Sequence, residues 1–168
     1  MGEAEAQRVL ELFKENSVEY KLFEHAPVYT SEEASRVRNV ELKSGVKAML
    51  VLVTPKTDDE KPKRFFVLCD MAADRRIDFR KLEEITMAKR ARFGTRDEVL
   101  SATGCEPGSV HPLGRLFQGV EKTFLDESVL ENELVNFNIG LLTQSVQIKS
   151  KDLLRVLNPS YTGSFTKY

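Results

Sequence analysis

Two segments of the chain carry residue types that could do chemistry. In Gly45-Val46-Lys47-Ala48-Met49-Leu50-Val51-Leu52-Val53 a lysine stands at the mouth of an apolar run, where a buried strand rarely tolerates a charge. In Gly104-Cys105-Glu106-Pro107-Gly108-Ser109-Val110-His111-Pro112-Leu113-Gly114, glycines and prolines punctuate a loop whose amides are free to face a ligand. A cation and a nest of backbone donors around one pocket would hold a small acyl group or a phosphate. Each feature also has a plainer reading. Lys47 can be a strand-end lysine that snorkels to solvent, and the loop can be a tight link between a helix and a strand.

Other reactive side chains fall short of a motif. His111 stands beside Pro112 with no carboxylate nearby in sequence to orient it as a general base. His25, in Glu24-His25-Ala26-Pro27, sits where a strand ends and reads better as a structural hydrogen-bonding residue than as a catalyst. Ser109 lacks the Gly-x-Ser-x-Gly elbow of a nucleophile. Cys69 and Cys105 are far apart, and no ligand spacing joins them to the two histidines, so neither a metal nor a cofactor is expected. Walker loops, dinucleotide fingerprints and kinase signatures are absent, which excludes the common nucleotide-dependent enzymes.

From Ile85 to Arg96 the chain carries Lys89, Arg90, Arg92 and Arg96 without an acid. The run is either a solvated positive face or a local contact for a phosphate backbone. Net charge over the 168 residues is only −1, so the surface as a whole is no magnet for nucleic acid.

The elements that must position these residues follow from periodicity. Residues 4–16 read as a helix with Val9, Leu12 and Phe13 on one face, and 18–23 alternate as a half-buried strand. Thr30-Ser31-Glu32-Glu33 is a capping box opening a short helix to about Val37. Strands are predicted over 47–54 and 64–69, across a charged turn. Helices are predicted over 78–85 and, after a second capping box at Thr95, to about Ala102. Short strands at 122–125 and 133–137 flank a helical turn at 127–130. A last strand at 144–149 leads to a helix that Ser150 caps and that ends near Leu157. The polar stretch 159–168 reads as a flexible tail.

Composition is that of an ordinary globular domain, 41% hydrophobic and 30% charged. No run reaches the roughly 20 apolar residues that span a bilayer, and the acidic N-terminus lacks a signal-peptide pattern, so a cytoplasmic protein without membrane partners is expected. Strands and helices interleave, but several strand links are too short for a parallel crossover. The predicted fold is one α+β domain over residues 1–158, with a mixed, curled or barrel-like sheet surrounded by short helices.

These motifs, in this order, resemble the YbaK and prolyl-tRNA synthetase-associated domain family of aminoacyl-tRNA deacylases. The resemblance runs from about Val18 to Leu157. It rests on the segment from Glu24 through Ala34, on Gly45-Val46-Lys47-Ala48, on Pro107 through Gly114, on Phe124-Leu125-Asp126, on Asn136-Phe137-Asn138-Ile139-Gly140 and on Val146-Gln147-Ile148. It implies hydrolysis of the ester joining a wrong amino acid to the 3′ end of a tRNA, with alanine on tRNA for proline as one candidate. Lys47 resembles the family's pocket lysine. Gly108 through Pro112 resembles its Gly-x-x-x-Pro loop, so Gly108, Ser109 and Val110 are expected to hold the ester carbonyl. His25, Thr30, His111, Pro112, Asn138 and Gly140 are expected around the substrate, and Lys89, Arg90, Arg92 and Arg96 against tRNA. A synthetase is a further expected partner. Some branches of the family carry a histidine where this chain has Asn138, Gly140, Leu141 and Leu142, so this wall is expected to be more apolar and to favour a small aliphatic group. The alternative is a module that binds tRNA ends or a synthetase without catalysis.

Overall fold

The computed structural model describes residues 2–168. Helix α1 (Gly2–Glu15) buries Ala6, Val9, Leu12 and Phe13, the stripe its period predicts. Strand β1 (Lys21–Glu24) starts later than periodicity predicts. Helix α2 (Ser31–Arg38) is capped by Thr30, whose hydroxyl accepts from the Glu33 amide at 3.1 Å. The Glu33 carboxylate reaches one residue further back than a capping box requires, to the Tyr29 amide.

Strands β2 (Val46–Pro55) and β3 (Phe65–Ala72) form a long antiparallel hairpin with Lys47 opposite Met71. After the short β4 (Arg76–Ile77) comes helix α3 (Phe79–Thr86), capped by Asp78. The basic run then forms β5 (Ala88–Phe93), an edge strand that periodicity does not single out. Helix α4 (Arg96–Thr103) carries the complete capping box of Thr95 and Glu98. Strands β6 (Lys122–Asp126), β7 (Leu134–Asn138) and β8 (Gln144–Lys149) lead to helix α5 (Ser150–Leu157). Its N-cap is Lys149, without a side-chain cap, and not Ser150.

The segment read as a flexible tail is instead folded. It adds β9 (Tyr161–Gly163) beside β6, and β10 (Thr166–Lys167) beside β4. Phe165 is fully buried among Phe124, Tyr161 and Leu82. The buried Asp126 carboxylate accepts from the Phe165 amide at 2.9 Å and from the Thr166 hydroxyl at 2.9 Å. The aromatic anchor, this pair of bonds to Asp126 and the strand pairings with β6 and β4 together oppose the ordering entropy of the segment.

The result is one α+β domain built on a mixed sheet in the order β5-β2-β3-β6-β9, with β6 parallel to both neighbours, and an antiparallel sheet β1-β8-β7. A parallel bridge between Gly45 and Asn136 joins the two where β2 begins. The main core lies between the smaller sheet, α1 and α5, and two further clusters cover the faces of the larger sheet. Among the described residues no helix is long and apolar enough to cross a membrane.

Candidate active site

The seam between the sheets opens into a cavity of about 140 Å³. A cavity of about 150 Å³ accepts a benzene-sized group, so this one admits a small group of about that size. The start of β2 lines it with Gly45, Val46, Lys47, Ala48 and Met49. Helix α2 contributes Thr30, Ser31, Ala34, Ser35 and Arg38, strand β7 contributes Asn136 and Asn138, and the glycine loop contributes Gly108 and Val110. None of the lining residues is acidic. A larger, open groove beside α1 and Tyr20 contains neither the lysine nor the loop.

Lys47 is half-buried, and its ammonium makes no ion pair or hydrogen bond with any described residue. Desolvation lowers its pKa below the ordinary lysine value, partly opposed by Glu32 and Asp74. Opposite it the loop turns at Gly108, whose φ of 90° lies in the left-handed region that favours glycine. The Gly108 and Val110 amides donate to no acceptor among the described residues, so both are available to an oxygen in the cavity.

Ser109, expected among the catalytic residues, does not join them. Its amide and its hydroxyl both donate to the Glu106 carbonyl, at 3.0 and 2.8 Å, and the residue is buried. The two histidines also lie outside the cavity lining. His111 stacks on Phe117 at 4.3 Å, accepts from the Leu113 amide through Nδ1 and meets Glu5 of α1 through Nε2 at 3.1 Å. Nδ1 is an acceptor, so Nε2 carries the proton and donates to Glu5. Desolvation lowers the His111 pKa against the pull of Glu5. His111 thus anchors the loop to α1, and Pro112 is buried beside it. His25 bonds Ser145 Oγ at 2.8 Å, behind the cavity wall. Gly140, at φ 101°, packs against α1, where an added Cβ would meet the Glu5 Cβ at 2.8 Å. These residues support the site without lining it.

The wall expected to be apolar is polar. Strand β7 turns Val135 and Phe137 into the core and Asn136 and Asn138 toward the cavity, while Leu141 packs with the main core. Arg38, which sequence reasoning missed, lies behind both asparagines and is 7% exposed. The available signal was its place four residues after Ala34, on the inner face of a predicted helix.

The basic run divides. Arg92 pairs with Glu98 at 2.8 Å and Arg96 with Glu106 at 2.8 Å, so neither is an unpaired cation. Lys89 and Arg90 are exposed, and Arg90 lies opposite Thr54, toward the far end of β2 from Lys47.

The model of the aminoacyl-tRNA editing domain matches residues 25–156, most of the chain. The chain belongs to the aminoacyl-tRNA editing domain family. Editing removes the amino acid from its tRNA, so the protein is an aminoacyl-tRNA deacylase. The multifunctional Ser/Thr-tRNA deacylase ProXp-y of Escherichia coli K12 is 28% identical over 159 residues, covering 94% of this chain and 91% of the relative. Solved structures share the fold of this editing domain. The hypothetical protein APE2540 superposes with a TM-score of 0.80 at 18% identity, over 95% of this chain and 99% of that one. A candidate trans-editing enzyme for prolyl tRNA synthetase superposes with a TM-score of 0.76 at 22% identity, over 98% and 97%.

Proposed function

We propose that this editing domain acts in trans on a tRNA mischarged with a small hydroxyl-bearing amino acid, serine or threonine, and cleaves its ester to the terminal ribose. The observation that carries this reading is the pair of unengaged amides, Gly108 and Val110, on the cavity that also holds the unpaired Lys47. Water adds to the ester carbonyl, and the oxygen that becomes negative is received by the two amides, each worth about 3–4 kcal/mol in the transition state. The carbon–oxygen bond to the ribose then breaks, one proton of the attacking water passes to the ribose oxygen and the other to solvent, and the amino acid leaves as its carboxylate. Lys47 orients the aminoacyl end and adds positive potential. Among the described residues no hydroxyl lining the cavity is hydrogen-bonded to a basic side chain, which agrees with attack by water.

The amino acid follows from the wall. Thr30 and Ser35 line the cavity with hydroxyls, beside asparagines already bonded to Arg38, Ser44 and Gly108, and a site built to bond a hydroxyl discriminates against its absence. The E. coli relative is named for serine and threonine, and alanine on tRNA for proline becomes the weaker substrate. Tyr29, on the cavity rim and 70% exposed, offers a face on which the terminal base stacks. Lys89 and Arg90 stand about seven strand residues, or about 23 Å, from Lys47, a distance suited to the tRNA body. The setting is the cytoplasm, with a synthetase as the source of the mischarged tRNA.

The test is loss of labelled amino acid from tRNAs carrying serine, threonine, alanine, cysteine or correctly paired proline. Serine or threonine esters are hydrolysed fastest. Salt-sensitive tRNA binding with no ester lost would replace this reading with a non-catalytic binding module.

A further inference from the structure

Arg38 is a buried guanidinium with no carboxylate partner among the described residues. Its Nε donates to Ser145 Oγ at 2.9 Å, Nη1 to Asn136 Oδ1 at 2.7 Å and Nη2 to Asn138 Oδ1 at 2.8 Å. All three acceptors are neutral. Desolvation lowers its pKa to about 10, which still leaves it charged at neutral pH. Taking a cation out of water and holding it only with neutral oxygens is an expensive way to fill space. The arrangement calls for an explanation in terms of what the guanidinium does to its partners.

Its effect is to orient two amides. With Oδ1 of both asparagines turned to the cation, both Nδ2 groups point away from it. Asn138 Nδ2 donates to the Gly108 carbonyl at 2.8 Å, at the start of the turn that presents the unengaged amides. Asn136 Nδ2 donates to Ser44 Oγ at 2.9 Å, and Asn136 also bridges Gly45, two residues before Lys47. The Ser145 hydroxyl lies 3.1 Å from Asn138 Oδ1 and completes the cluster. One side chain therefore reaches both halves of the site, the glycine loop through Asn138 and the lysine-bearing strand through Asn136.

We propose that Arg38 is a positioning residue that locks the Asn136 and Asn138 amides and so holds the Gly108 turn in register with Lys47. This rests on the hydrolytic reading above for its catalytic consequence, but the positioning itself is a property of the fold. A lysine could keep the charge and could not make the three-pronged contact. Aspartate at 138 would keep an acceptor for Arg38 and lose the donor to Gly108.

The experiment compares wild type, Arg38→Lys, Asn138→Asp and the double variant, all as the full chain. Turnover and KM are measured on the mischarged tRNA that wild type hydrolyses best, and amide hydrogen exchange is followed by NMR at Ser109, whose amide is bonded within the turn. Both single variants are expected to lose about 10- to 100-fold in kcat, the scale of a misplaced reacting geometry. KM should stay within about threefold, Ser109 should exchange at least about tenfold faster, and the double variant should be no worse than either single one. Wild-type kcat and exchange in Arg38→Lys would overturn the proposal. So would wild-type values in Asn138→Asp, which keeps a partner for the arginine and decides the matter should Arg38→Lys fail to fold. A lowered melting temperature with unchanged kcat and Ser109 exchange would show a merely structural arginine. If wild type hydrolyses no ester, the functional reading fails, and the exchange measurement alone still decides whether Arg38 positions the loop.

Discussion

Replacing Lys47 with methionine separates chemistry from fold, because methionine keeps the apolar stem and removes the charge. An oxyanion about 4 Å from an ammonium gains about 4 kcal/mol at an effective dielectric of about 20. Lys47 is only half-buried, so solvent screening reduces this to about 2–3 kcal/mol, or about 30- to 150-fold in kcat/KM. Stability should not fall with activity. Desolvation lowers the Lys47 pKa, so the folded site disfavours the charge, and removing it leaves the melting temperature unchanged or higher. The assay is single-turnover loss of labelled amino acid from mischarged tRNA, with thermal unfolding run on the same preparations. The protonated lysine is the active form and its pKa is depressed. After subtraction of base-catalysed ester loss, the wild-type rate should therefore decline at a lower pH than an ordinary lysine would give, and the variant should lack that limb. A loss of less than about threefold, or a loss that follows unfolding, would refute the electrostatic role of Lys47.

Gly108→Ala tests the turn. The added methyl has open space, its nearest neighbour being the Tyr29 carbonyl at 3.9 Å, so the cost is backbone strain of about 1–2 kcal/mol, with a fall in kcat/KM of at least about tenfold in the deacylation assay. Phe165→Ala should destabilise by about 3–5 kcal/mol in urea unfolding, because the side chain is fully buried; a frayed tail would give no change. Asp70 is fully buried, and neither of its carboxyl oxygens has a hydrogen-bond partner among the described residues. Its pKa is raised well above the usual carboxylate value by desolvation, so the folded state holds a proton that the unfolded state releases. Stability contributed by this group therefore falls as pH rises from about 4 toward the folded pKa, and Asp70→Asn should flatten that decline in melts taken between pH 4 and 8.

How much of the site was legible depends on whether a residue's role is local. The N-cap at Thr30 and the capping box at Thr95 depend on neighbours three residues away, and both helices start where those residues predict. The β2–β3 hairpin was visible as two β-branched runs across a charged turn. Strand β5 was not, because its alternating arginines and lysine carry no apolar period, and pairing along β2 decides its form. The folded tail escaped for the same reason: nothing near Phe165 in sequence announces Asp126, 39 positions earlier.

By itself the sequence determined the elements and the two segments of chemical interest, since helix caps, strand periods and glycine turns are written in adjacent residues. Only the tertiary structure decided which groups share the cavity. It withdrew Ser109, His111 and Gly140 into the supporting structure, paired Arg92 and Arg96 with acids, and brought Arg38 to Asn136 and Asn138 about a hundred positions away. The physical reason is that partners of buried polar groups are chosen by sheet pairing across the whole chain. A guanidinium that must be satisfied away from water reports on that pairing and not on its neighbours in sequence.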